Sequence, residues 1–114
     1  SNIKVSATAA RVPVIGGHSE SINLTLYNSF EISNIIQLLS NIPGLVLKND
    51  SASLDYPMPL FSKGKDEVFV GRIREDFSEK NSLNLWVVAD NLRKGAATNA
   101  IQIAEYLIEK KILD

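Results

Sequence analysis

The sequence predicts an α+β domain built on a mixed, largely antiparallel sheet with two helices. Three observations predict it. Strand-like stretches outnumber helical ones, two consecutive pairs of strand patterns look like hairpins, and only two stretches carry apolar residues at helical spacing.

In chain order, residues 3–14 are rich in small and β-branched side chains (Ile3, Val5, Thr8, Val12, Val14) and predict a first strand. Gly16-Gly17 breaks that run as a turn. Ile22, Leu24 and Leu26 then alternate with Asn23 and Thr25, the period of a half-buried second strand. Ser29 is placed to cap a helix whose apolar positions Ile32, Ile35, Ile36 and Leu39 fall at i, i+3, i+4 and i+7, and Pro43-Gly44 ends it. Leu45–Lys48 is a short strand. Asn49–Gly64, with Pro57 and Pro59, is a long loop of the kind that often carries function or touches a partner.

Glu67–Phe77 and Leu83–Ala89 predict two further strands around a polar turn. The second is apolar on both faces, which predicts a central position covered on both sides. By strict alternation Arg72 and Arg74 share a face with Val68 and Val70. That mixed face suits either a partner subunit or plain exposure. A last helix starts at about Asn91, with Ala96, Ala100, Ile103, Ala104 and Leu107 on one face and Lys110-Lys111 at its electronegative end. The predicted order is β-β-α-β-β-β-α. The first helix could equally cross over a parallel pair, so the topology stays open.

Composition narrows the function. With 114 residues and 45% hydrophobic content, the chain can bury one core without disulfides or a structural metal. A net charge of −1 with scattered basic residues argues against nucleic acid or a membrane surface as the main partner. No apolar run approaches the roughly 18 to 20 residues that span a bilayer, so a cytoplasmic protein is expected. Cysteine is absent, which excludes disulfides, thiolate metal sites and a thiolate nucleophile from this stretch. One histidine cannot build a multi-histidine metal site, and no metal is expected. The chain opens Ser1-Asn2-Ile3 without methionine, which fits a processed terminus, a tag remnant or a piece of a longer protein.

The most unusual local arrangement runs from Arg11 through Val12, Pro13, Val14, Ile15, Gly16 and Gly17 to His18. Arginine presents a planar fork of donors matched to a carboxylate or phosphate. Histidine is the side chain suited to moving protons near neutrality. A strand carrying the first and a glycine turn presenting the second can aim both into one cleft. The plainer reading is a surface arginine and a structural histidine.

Four stretches in order carry a family resemblance. They are Arg11–Glu20, the run Tyr56-Pro57-Met58-Pro59-Leu60, Gly64–Arg74, and Leu85–Ala97 with its Ala89-Asp90-Asn91-Leu92-Arg93-Lys94-Gly95. Together they resemble the aspartate-semialdehyde dehydrogenases over nearly the whole chain. The resemblance implies a fold like the C-terminal domain of glyceraldehyde-3-phosphate dehydrogenase. Residues 1–90 would be the C-terminal part of the catalytic and dimerisation domain. Residues 91–114 would form a helix packing on an N-terminal nucleotide-binding domain, with Gly95-Ala96-Ala97 allowing close approach.

The implied activity is the NADP-dependent reductive dephosphorylation of aspartyl phosphate to aspartate semialdehyde, releasing phosphate, on the route to lysine, methionine and threonine. Arg11 would bind the α-carboxylate of aspartate semialdehyde or aspartyl phosphate, and His18 would be the catalytic acid/base. Asn91 would contact the nicotinamide cofactor, and a simple helix cap is its alternative role. A homodimer through the sheet is also implied. In the family the cysteine nucleophile, its glutamine, the phosphate-binding basic residues and the glycine-rich nucleotide loop all precede this stretch. The chain alone is therefore expected to be inactive and to bind no cofactor, and the choice of NADP over NAD would lie in the preceding domain. The alternatives are a non-catalytic dimerisation module, or a reductase of a different acyl phosphate. The presence of both Arg11 and His18 favours the enzyme.

Overall fold

A computed structural model describes residues 2–50 and 52–112. Its elements are β1 (His18–Thr25), α1 (Ile32–Ser40), β2 (Leu45–Lys48), α2 (Pro59–Ser62), β3 (Val68–Glu75), β4 (Ser82–Ala89) and α3 (Thr98–Glu109). A single π-helical turn, Arg93–Ala97, leads into α3. The strands form one sheet in the order β1-β4-β3-β2. β4 is antiparallel to both β1 and β3, whereas β2 runs parallel to β3. The mixed, largely antiparallel α+β architecture is thus what forms. The chain between β1 and β2, carrying α1, links two parallel strands at opposite edges of the sheet.

The helical spacing of Ile32, Ile35, Ile36 and Leu39 has its expected consequence. These side chains pack with Leu45, Leu47, Val68, Leu85 and Val87 on a buried cluster of Val70, Ile73 and Leu83. Leu83 is only 1% exposed. Ser29 does not cap this helix. The N-cap is Glu31, whose backbone carbonyl accepts from Asn34 and Ile35 and whose side chain makes no capping bond.

β3 departs from strict alternation. Gly71 pairs with Trp86, but the next pair is Arg74 with Asn84, so Arg72 and Ile73 together oppose Leu85. Arg72 takes up the extra residue in the left-handed region, at φ 52. The Ile73 N–H donates at 2.7 Å to Asn49 Oδ1. The bulge turns Ile73 onto the core face with Val70. Arg72 and Arg74 are exposed, and Arg74 no longer shares a face with Val68 and Val70, which corrects the alternation reading.

The long loop covers part of the opposite face. Pro57 is fully buried, and its carbonyl accepts from Trp86 Nε1 at 3.0 Å. A Cβ on Gly71 would overlap the Lys48 carbonyl oxygen and come within 2.7 Å of Pro57 Cδ, so only glycine lets the loop lie this close. Phe69 and Val88 are buried on this side. β4 therefore sits between two strands with both faces covered, as its two-sided apolar pattern predicts. The loop also contains α2, with Pro59 as its first residue.

The first predicted strand does not form. Residues 2–17 adopt no strand, and Ile3 and Val5 stand 77% and 83% exposed. β-branched composition favours a strand only where an edge pairs with it, and no described strand does so here. One hairpin results, β3–β4, rather than two. The last α-helix also begins later than Asn91, at Thr98, after the π-turn. None of its residues is buried. The radius of gyration is 15.6 Å. A compact chain of this length would have about 13 Å.

Candidate active site

Antiparallel pairing of β1 with β4 decides which ends meet. His18, the first residue of β1, stands opposite Ala89, the last residue of β4. The two glycines before His18 adopt positive φ, +76 at Gly16 and +82 at Gly17, the conformations for which a glycine turn is suited. The Gly17 N–H donates at 3.1 Å to Oδ1 of Asn91, two residues beyond β4. The sheet thus brings the His18 turn and Asn91 together at one rim. His18 itself is exposed.

Arg11 is exposed in the irregular segment rather than mounted on a strand. Neither its guanidinium nor the His18 imidazole makes a hydrogen bond or ion pair among the described residues. A concavity lined by Ser29, Phe30 and the β3–β4 turn from Glu75 to Ser82 lies at the other end of β4.

Two aspartates that the sequence reading passed over hold this rim in place. Asp90 is buried, and its carboxylate accepts from the N–H groups of Gly64 at 2.8 Å, Leu92 at 2.9 Å and Arg93 at 3.2 Å. The Gly64 N–H leads in holding its carboxyl below the usual range, with those of Leu92 and Arg93 adding to it and burial opposing them. Asp90, rather than Asn91, therefore accepts the free N–H groups of the turn that follows. The signal was present, since aspartate directly before a helix is a strong capping residue. Asp66 takes the Arg93 guanidinium and the Thr98 hydroxyl, tying the turn before β3 to the start of α3. No described group of three or more His, Cys, Asp or Glu residues could hold a metal ion. No described helix is long and apolar enough to cross a membrane.

Comparison with known proteins defines the class. The family described as semialdehyde dehydrogenase, dimerisation domain, matches residues 1–94, and the chain belongs to it. Among its relatives, the aspartate-semialdehyde dehydrogenase of Aquifex aeolicus is 49% identical over 112 residues, covering 98% of this chain and 33% of that protein. Aspartate semialdehyde dehydrogenase II of Vibrio cholerae, solved in complex with ASA, superposes with a TM-score of 0.78 at 42% identity, covering 86% of this chain and 29% of the other. The Candida albicans enzyme, solved with NADP, gives a TM-score of 0.67 at 30% identity over 90% of this chain and 32% of that one. The chain spans about a third of the length of the curated relatives it matches.

Proposed function

We propose that this chain is the substrate-side part of an NADP-dependent aspartate-semialdehyde dehydrogenase that reduces aspartyl phosphate to aspartate semialdehyde with release of phosphate. Arg11 would receive the substrate α-carboxylate on its planar fork, and an exposed guanidinium without an internal partner suits that task. His18 would carry the proton as acid and base around the covalent intermediate. The thiol that forms this intermediate must come from outside the sequence, which has no cysteine. Residues 1–90 would belong to the catalytic and dimerisation domain.

NADP supplies the hydride when bound. By the family resemblance, Asn91 is the residue of this chain that would touch it, and with Oδ1 engaged by Gly17 the amide nitrogen remains as a donor for that contact. The exposed helix α3 within residues 91–114 would pack on a preceding nucleotide-binding domain. The protein would work in the cytoplasm as a homodimer, on the route to lysine, methionine and threonine.

The observation that carries this reading is the Gly17–Asn91 hydrogen bond, which sets the turn before the candidate acid/base against the candidate cofactor residue. Steady-state kinetics of the complete enzyme test it. His18→Ala should lower kcat by roughly 10² to 10⁴ with a smaller effect on KM. Arg11→Lys should chiefly raise KM for the substrate, because the ammonium keeps the charge and loses the two-pronged contact. A non-catalytic dimerisation module predicts no turnover at all, and unchanged kinetics in both variants would reject the assigned roles.

A further inference from the structure

We infer that Asn91 is a positioning residue for His18, its side-chain carbonyl pinning the Gly17 backbone and so setting where the imidazole is presented. The inference rests on the acid/base reading of His18. It begins from how that side chain is held. His18 is exposed, and no described group hydrogen-bonds its ring, so the backbone alone aims it. The residue before it is confined on several sides. A Cβ on Gly17 would lie 3.2 Å from the Ala89 carbonyl oxygen and 3.3 Å from both Pro59 Cβ and Ser62 Oγ. Its N–H has one acceptor, Asn91 Oδ1, across 74 residues of sequence.

That acceptor is itself fixed. Asp90, directly before Asn91, is locked by the N–H groups of Gly64, Leu92 and Arg93. Its backbone carbonyl also accepts from Lys94 at 2.9 Å and Gly95 at 3.4 Å. Arg93, two residues after Asn91, is held by Asp66. The orientation of the Asn91 amide follows from chemistry, because an N–H can only donate and the group facing Gly17 must be the oxygen. The amide nitrogen then points away from Gly17. One side chain would thus couple the residue beside the acid/base to whatever its own nitrogen meets.

Two measurements test this. In the 114-residue chain, hydrogen exchange of the Gly17 amide is followed by NMR, and the single histidine makes the His18 ring resonances unambiguous. Gly17 protection should fall about tenfold in Asn91→Ala, with a shift of the His18 resonances. Both readouts should be kept in Leu92→Ala, a change at an exposed neighbour, and Gly17 protection should be kept in Asn91→Asp, which retains an acceptor oxygen. Unchanged protection in Asn91→Ala would overturn the inference. So would a Gly17 amide in the unaltered chain exchanging as fast as a solvent-exposed glycine, a result that needs no variant to fold.

In the complete enzyme, Asn91→Ala and Gly17→Ala should each lower kcat by about 3- to 10-fold. The double variant should lose clearly less than the product of the two single losses, because Gly17 and Asn91 share one clamp and only Asn91 would have a cofactor contact besides. Losses that multiply in full would show the two residues acting independently and overturn the inference. Turnover untouched by His18→Ala would sink the acid/base reading alone, since the exchange and ring readouts judge the clamp without any turnover.

Discussion

Arg93 grips Asp66 with two parallel hydrogen bonds, Nε to Oδ1 and Nη2 to Oδ2, each 2.7 Å long. The Thr98 hydroxyl adds a third at 2.6 Å. A forked guanidinium on a carboxylate fixes orientation as well as distance, which a lysine would not do. Here it joins the turn before β3 to the π-turn and the first residue of α3, and so steadies the segment that follows Asn91.

The acid response of the protein should show this pair. The Arg93 guanidinium, helped by the Thr98 hydroxyl, lowers the Asp66 carboxyl from the ordinary 3.8 to about 2. A depressed carboxyl contributes stability above its unfolded value and loses it as pH falls through the folded one. Asp66→Asn should therefore make the fall of the urea midpoint shallower between about pH 4 and pH 2. Asp50, Asp76 and Asp90 are lowered too, so some slope should remain. Identical slopes in the two proteins would remove Asp66 from the acid response.

Gly71 should tolerate no side chain. The overlap a Cβ would make is with the Lys48 backbone carbonyl, which cannot swing aside as a flexible side chain would, and Pro57 closes the other approach. Gly71→Ala should cost about 3 kcal/mol or prevent folding, at or above the usual range for overpacking. Gly44→Ala, with open space at the Cβ position but φ at +78, should cost only about 1 kcal/mol. Equal urea midpoints for the two variants would contradict the packing account.

The 114-residue chain by itself should not turn over aspartate semialdehyde, since it has no cysteine. The assay compares it with an Arg11→Ala/His18→Ala double variant. NADP-dependent turnover above that control would require a nucleophile other than a thiol and would remove the basis of the proposed division of labour.

Self-association is expected as well. Ile101, Ile103, Tyr106 and Ile108 of α3 are all more than half exposed, as are Ile3, Val5 and Val12. Monomeric proteins rarely leave contiguous apolar patches beyond a few hundred Å² open to water. Sedimentation velocity over a range of concentrations should show a dimer or larger species. A monomer at every concentration would speak against a sheet face made for a second subunit.

What the sequence determined by itself is local and periodic. Spacing at 3.6 residues placed Ile32, Ile35, Ile36 and Leu39 on one stripe, and alternation marked Ile22 and Leu24 as strand. Two-sided apolarity put β4 in the middle of the sheet, and Gly16-Gly17 marked the turn before β1. Periodicity records which side of an element a residue faces, and it does not record which neighbour that side will meet. Residues 3–14 have strand-like composition and no strand, because pairing is supplied by another edge. The bulge at Arg72 reversed the alternation because Asn49, far away in sequence, is there to accept the displaced Ile73 N–H. The parallel β2–β3 pair and the bond from Gly17 to Asn91 likewise join segments distant along the chain. Those were decided by tertiary structure, where a buried donor must find its acceptor wherever the fold brings one within reach.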